Sequence, residues 1–294
     1  MKVIITIPAY NEEETIGKVV RDIKQAMSKT KYKHSILVVN DGSKDKTAEM
    51  AGKQGAIVYS HPYNYGLAEA FRTEISKCLE LGADIIVHTD ADGQYKAEEI
   101  HKLIEPIEKK EADLVLGSRF KGKIEEMPWM KRMGNRAFSR VISNIIKFRV
   151  SDCQTGFRAF TKEVAQKVPI ISDHTYTQEQ IIRAVREKFR IKEVPVYFAK
   201  RISGESRLMS SPFQYAAKAW VNILRIYRDY EPLKFFWRIG FTFLMLGVAI
   251  GIWLVLLFLM EGKIGHMPAT ILSMLLIVVG LQIILFGFLA DMKK

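Results

Sequence analysis

Asp90 and Asp92 stand two residues apart in His88-Thr89-Asp90-Ala91-Asp92-Gly93-Gln94, directly behind the run 83–87, apolar except for Asp84. In an extended chain side chains alternate between faces, so the two carboxylates would point the same way. Like charges held side by side repel unless a cation lies between them. An oxygen-only pair suits a hard divalent cation, magnesium or manganese. Asp41 lies in a comparable place, behind the apolar run 36–39. A carboxylate there can accept hydrogen bonds from a nucleotide's base or ribose, or it can cap the helix that follows. Asp-x-Asp alone also describes a solvated turn, and Asp41 alone a cap. The three carboxylates together favour ligand binding.

The elements around them form a repeating unit. Lys2 to Ile7 reads as a buried strand ended by Pro8, and a helix carries Ile16, Val19, Val20, Ile23 and Met27 on one face. Strand 35–39, helix 46–54, strand 56–59 and helix 66–81 follow before the strand that leads to Asp90. Strands alternating with helices predict an α/β fold with a parallel, doubly wound sheet. Pro8, Tyr10 and Glu12, then Asp41, then Asp90 and Asp92, would all gather at the sheet's carboxyl edge, where such folds bind ligands. No Gly-x-Gly-x-x-Gly follows the first strand and no Walker motif is present. Phosphates would therefore be held by a metal and basic side chains.

Ile7-Pro8-Ala9-Tyr10-Asn11-Glu12-Glu13, Val39-Asn40-Asp41-Gly42-Ser43 and Asp90-Ala91-Asp92-Gly93-Gln94 resemble the signature of family-2 glycosyltransferases of GT-A fold. The resemblance implies inverting transfer of a hexose from a nucleoside-diphosphate sugar, with Asp90 and Asp92 holding the diphosphate through magnesium or manganese. Carried over residue by residue, the donor would meet Pro8, Tyr10, Glu12, Asp41, Asp90, Ala91, Asp92 and Gln94. Many relatives carry Asp at Asn40, a basic residue near Leu67 and glycine at Glu74.

In the second half, strand 113–117 precedes a segment expected to be flexible, 120–128. A helix over 129–148 follows, apolar at Trp129, Met133, Phe138 and Ile142 and basic at Lys131, Arg132, Arg136 and Arg140. Such a helix suits an anionic membrane surface. Gly156-Phe157-Arg158 and the 199–207 stretch resemble the dolichyl-phosphate-mannose and dolichyl-phosphate-glucose synthases of that family, with Arg207 where Lys is usual. This implies a polyprenyl (dolichyl) phosphate acceptor, with Arg119, Arg132, Arg136 and Arg201 as candidates for its phosphate. Asp92, Arg119 and Glu179 are the candidate catalytic groups. In many family-2 enzymes the carboxylate at the position of Glu179 is the general base, which the resemblance carries over as an expectation. A sugar hydroxyl needs one, whereas a lipid phosphate is already ionised near neutral pH, so Glu179 would then position substrate. GDP-mannose, UDP-glucose and UDP-N-acetylglucosamine remain open as donors. A rival reading has the acceptor as a hydroxyl of a lipid-linked glycan, with Glu179 as base. From another class, a non-catalytic membrane adaptor of the same fold is disfavoured by the intact Asp41, Asp90 and Asp92.

The 294 residues carry a net charge of +12, which calls for an anionic partner. Nucleic acid is not expected, because the basic residues sit beside apolar, membrane-type helices and no recognition motif appears. The two cysteines, Cys78 and Cys153, form no disulfide framework. No secretory leader is expected, since the chain opens on a strand. Residues 239–260 and 268–290 carry no charge. At about 1.5 Å per residue, the first spans roughly 33 Å, enough for a bilayer core. The expected organisation is a catalytic domain over 1–210, interface helices over 211–238, two transmembrane helices over 239–290 and a tail over 291–294. Lys234 and Arg238 before the first span, and Lys293 and Lys294 after the second, would place the catalytic domain on the cytoplasmic side of the cell membrane. Two spans without an ionisable residue make no channel.

Overall fold

The structure, a computed structural model, describes residues 1–171, 176–200, 221, 224–262 and 266–292. The chain divides into two units, Met1–Pro212 and Phe213–Lys294.

In the first unit, the strands are β1 (Lys2–Ala9), β2 (Lys33–Asn40), β3 (Ile57–Ser60), β4 (Ile85–His88), β5 (Leu114–Ile124), β6 (Arg158–Thr161) and β7 (Ile191–Phe198). They form one seven-stranded sheet in the order β3-β2-β1-β4-β6-β5-β7. The helices are α1 (Ile16–Ser28), α2 (Thr47–Lys53), α3 (Leu67–Glu80), α4 (Ile100–Glu108), α5 (Trp129–Ile146), α6 (Lys162–Lys167) and α7 (Tyr176–Arg186). Val3, Ile4, Ile5 and Ile7 of β1 are all fully buried, so both sheet faces are covered. That is why the strand reads as a continuous apolar run. The α1 face predicted from spacing is the buried one: Ile16, Val19, Val20, Ile23 and Met27.

The sheet is mostly parallel, with one exception that matters. β6 runs antiparallel to both neighbours, β4 and β5. Its four residues are too few for periodicity to reveal a strand, and the sequence pattern offered only a motif there. A strand of opposite direction starts at the edge where its neighbours end. Arg158, the first residue of β6, is therefore in register with His88, the last of β4. This delivers the Gly-Phe-Arg segment to the Asp90–Asp92 turn.

β5 extends to Ile124, so part of the segment expected to be flexible is strand; its pairing with β7 shifts register between Ser118 and Lys123. Gly122 permits that approach, because a β-carbon there would fall 1.9 Å from the Val196 carbonyl oxygen.

The second unit contains α8 (Pro232–Glu261) and α9 (Met267–Asp291), which include the two uncharged stretches. Both are long and apolar enough to cross a membrane. They run antiparallel, with Gly240 against Gly280 and Gly247 against Ser273 and Ile277. The Ser273 hydroxyl donates to the Gly247 carbonyl at 2.7 Å. Small residues at the seam let backbones approach, the usual solution where lipid leaves no hydrophobic drive between helices. Large apolar side chains such as Leu259, Met274, Leu285 and Phe286 point outward. Most of the interface helix expected over 213–229 lies outside the described residues.

Candidate active site

The ends of β1, β2 and β4 build one side of the site. The β1–β4 ladder stops at Thr6–His88, two residues before Pro8, which has no N–H to give. Beyond it the strands part. Tyr10 is half-buried at the end of β1. Asn11 takes a positive φ of 52° and is fixed at both ends: its N–H donates to Ser43 Oγ (2.9 Å) and its side-chain oxygen accepts from Lys44 N–H (2.8 Å). The Glu12 N–H donates to Thr47 Oγ1 (2.8 Å), and its carboxylate accepts from Thr15 Oγ1 (3.1 Å). The loops after β1 and β2 are thus knitted into one rim.

Asp41 is buried and does not cap α2. Oδ1 lies 2.7 Å from His61 Nδ1 and accepts from Tyr65 N–H at 3.0 Å, while Oδ2 accepts from Gly66 N–H at 2.9 Å. Asp41 therefore locks the 61–66 loop over the end of β2. A β-carbon on Gly42 would stand 2.2 Å from the Tyr63 carbonyl carbon, and its φ of 69° also demands glycine.

The DxD segment leaves β4 and turns at once, rather than staying extended as its alternation suggested. Ala91 to Gly93 form the turn, Gly93 takes φ 71°, and Asp92 Oδ1 accepts from Gln94 N–H at 3.1 Å. Asp90 and Asp92 nevertheless stay within electrostatic reach. Burial, and after it the Asp92 carboxylate, push the Asp90 carboxyl up to about 6, while His88 and Arg119 pull it back. The Gln94 side chain, expected to meet the donor, donates to the Ala199 carbonyl at 3.1 Å and ties the turn to the end of β7. Among the described residues no group of three or more His, Cys, Asp or Glu side chains could form a metal cage. Two carboxylates with substrate phosphates completing the shell is the usual arrangement for magnesium-like ions. The mutually repelling pair, Asp92 buried and Asp90 partly so, fits such a cation.

Arg119 lies almost wholly inside. Its Nε donates to Asp152 Oδ2 (2.7 Å), its Nη2 to Asp152 Oδ1 (2.8 Å) and its backbone N–H to Oδ2 (3.1 Å). Asp152 is itself placed by Glu193, which accepts from Ser151 N–H (2.8 Å), Ser151 Oγ (2.9 Å) and Asp152 N–H (3.1 Å). Among the described residues Nη1 has no hydrogen-bond partner, so the fork is held by one edge and presents the other. Arg136, exposed on α5, lies 5.3 Å from the ring centre of Phe120, the residue after Arg119. Arg132 is exposed one turn earlier. Arg201 lies outside the described residues.

Glu179 is buried in the first turn of α7. Its carboxylate accepts from Ile171 N–H at 3.1 and 3.2 Å and from Arg183 Nε at 2.7 Å.

Sequence reasoning missed the groups behind this rim. Arg158 is fully buried, and its Nη1 donates to the Thr177 carbonyl and to Gln180 Oε1, both at 3.0 Å. Glu74 is also fully buried and lies 2.7 Å from His88 Nδ1. Burial pushes its carboxyl upward against the pull of His88. A polar residue inside each of two apolar patterns was the available signal for that pair.

Residues 4–168 match the model of Glycosyl transferase family 2, and the chain belongs to that family. It is a glycosyltransferase with the GT-A-like arrangement of a mostly parallel sheet and flanking helices. It is 33% identical over 219 residues to a UDP-N-acetylglucosamine–dolichyl-phosphate N-acetylglucosaminyltransferase of Methanococcus voltae, covering 66% of this chain and 84% of the relative. It is 31% identical to a dolichyl-phosphate hexose transferase of Haloferax volcanii, covering 76% and 92%. Among solved structures, glucosyl-3-phosphoglycerate synthase of Mycobacterium tuberculosis with Mn2+, UDP-glucose and phosphoglyceric acid shares the fold at a TM-score of 0.59 and 20% identity, covering 76% of this chain and 79% of that one.

Proposed function

We propose that this glycosyltransferase moves one hexose, with inversion, from a nucleoside-diphosphate sugar to a polyprenyl phosphate such as dolichyl phosphate. The observation that carries the reading is the Asp90–Asp92 pair beside the half-occupied fork of Arg119, in a chain that also holds two membrane-length helices. The named activities of the relatives from Methanococcus voltae and Haloferax volcanii support the same acceptor class.

Asp90 and Asp92 would hold a magnesium or manganese ion, which when bound neutralises charge on the donor's diphosphate. Tyr10, Glu12 and the rim at Asp41 would bound the nucleoside. Asp152 presets the Arg119 guanidinium so that Nη1 can meet an anion without reorganisation. Arg132 and Arg136 add positive charge for the acceptor. An oxygen of the lipid phosphate attacks the anomeric carbon as the bond to the donor's diphosphate breaks, and the nucleoside diphosphate departs with the bonding pair. No proton has to be removed from an acceptor already ionised near neutral pH. Glu179, engaged by Ile171 and Arg183, then acts by positioning. The uncharged stretches of α8 and α9 would anchor the enzyme in the cell membrane. The basic residues flanking them, Lys234 and Arg238 before and Lys293 and Lys294 after, favour a cytoplasmic catalytic unit.

The test is transfer of radiolabel by the purified protein in detergent with manganese. Labelled GDP-mannose, UDP-glucose and UDP-N-acetylglucosamine are offered separately, with and without dolichyl phosphate. Label entering the organic phase from one donor, only when lipid phosphate is present, is the expected result. No transfer from any donor overturns the reading.

A further inference from the structure

Behind the DxD turn lies a polar chain buried in an apolar setting. His88, the last residue of β4, is fully buried. Its Nδ1 is 2.7 Å from Glu74 Oε2 on α3, and its Nε2 is 3.3 Å from the hydroxyl of Tyr176, the first residue of α7. Phe71 walls the group in, 5.0 Å from the His88 ring centre and 4.6 Å from that of Tyr176. Burying a carboxylate and an imidazole costs free energy that apolar side chains of similar size would not. The sheet's packing does not demand them, since the flanking Val87, Phe71 and Phe160 are apolar.

An ionised Glu74 selects one tautomer. With Nδ1–H donating to Glu74, Nε2 keeps its lone pair and accepts from the Tyr176 hydroxyl. The hydroxyl is thereby aimed, and α7 is pinned at its first residue. Arg158, cross-strand from His88, grips the same turn through the Thr177 carbonyl and Gln180. Two neighbouring side chains at the level of the DxD thus reach one helix end, and that end carries Glu179.

We propose that Glu74, His88 and Tyr176 form a positioning relay that registers the first turn of α7, and with it Glu179, against the Asp90–Asp92 pair. The proposal rests on the reading of the site as a sugar-transfer centre. None of the three residues touches substrate; they act through α7. Misplacement by about 1 Å of a group that orients substrate can cost up to about 100-fold in rate.

The experiment compares the full-length protein with Tyr176→Phe, Glu74→Gln and Glu74→Leu in the transfer assay. Calorimetry of uridine and guanosine diphosphates with manganese, thermal midpoints, and deuterium uptake at the amides of residues 180–183 accompany it. Those amides bond to carbonyls of the first turn. Tyr176→Phe is expected to lower kcat about tenfold with KM for the donor and nucleotide affinity unchanged, and to speed exchange at 180–183 but not in α1. Glu74→Gln, which still accepts from Nδ1–H, should keep kcat, whereas Glu74→Leu should behave like Tyr176→Phe. Unchanged kcat and exchange in Tyr176→Phe overturn the relay. So do equal losses in the two Glu74 variants that track only the thermal midpoint. Wild-type protein that transfers nothing sinks the sugar-transfer reading instead, and the exchange data then decide by themselves whether the relay holds α7.

Discussion

A β-carbon on Gly156 would stand 2.7 Å from Oδ1 of Asp90 and 3.0 Å from Oδ2. The glycine of the Gly-Phe-Arg segment is thus the floor on which the first DxD carboxylate rests. Its place there follows from β6 running against β4, which sets the approach to Arg158 beside the exit from His88. Gly156→Ala is expected to displace the Asp90 carboxylate and weaken manganese binding about tenfold or more, with the fold intact by circular dichroism. Calorimetric titration with manganese and nucleotide checks it, and wild-type affinity would mean that the carboxylate yields without cost.

Asp92→Asn should remove turnover by about 100-fold or more while leaving the turn in place. The asparagine's Oδ1 can still accept from Gln94 N–H, as Asp92 does now at 3.1 Å. What is lost is a charge, not the local structure. Transfer rate and thermal midpoint, measured side by side, separate the two.

The raised Asp90 carboxyl has a signed consequence. Its folded-state value of about 6 lies above the ordinary 3.8, so the metal-free fold holds this proton more tightly than the unfolded chain. The group therefore destabilises the metal-free protein above about pH 6, and that penalty fades as pH falls through 6 toward 3.8. A cation needs the ionised form. Manganese should raise the thermal midpoint clearly at pH 7.5 and little at pH 5. An equal rise at both values would contradict the assignment of Asp90 to the metal.

Arg119 and Asp152 test a different balance. Both are nearly or wholly buried, and the pair is bidentate. Removing one partner strands the other charge, which typically costs about 3–5 kcal/mol. Asp152→Ala should lower stability by that order in thermal or denaturant melts. Arg119→Lys should keep part of the stability and lose more activity, because an ammonium cannot hold one edge and present the other.

Glu179→Gln separates the two acceptor chemistries. With a phosphate acceptor the rate should fall by about tenfold or less, reflecting the weakened Arg183 contact. Abolished transfer with nucleotide binding preserved would favour a hydroxyl acceptor and a true base.

Much of this architecture was legible beforehand, for physical reasons. Most of β1, 36–39 of β2 and 85–87 of β4 are buried on both faces, so each reads as a mainly apolar run with polar residues massed at its end. α1 shows its buried stripe directly, and the two uncharged stretches are visible as helices long enough to span a bilayer. What stayed hidden depends on contacts distant in sequence. β6 is too short to show a period, and its direction is set by its partners. Arg119 was legible as a candidate for an acceptor phosphate, but not its buried pairing with Asp152, 33 residues away. Asp41 read as a donor ligand, or taken alone as a cap, and its partners in the 61–66 loop could not be foreseen from either reading. Glu74 and His88, 14 residues apart, make sense only as a pair.

The seam of the α8–α9 hairpin also has a mechanical meaning. Gly240 and Gly280 put backbone against backbone, and Ser273 latches one helix to the other at Gly247. Ile284 packs directly on Gly240 and Ile277 on Gly247, so the two surfaces interlock and the seam resists shear. In a bilayer of changing thickness the hairpin would answer by tilting as one stiff strut, rather than by one helix sliding past its neighbour.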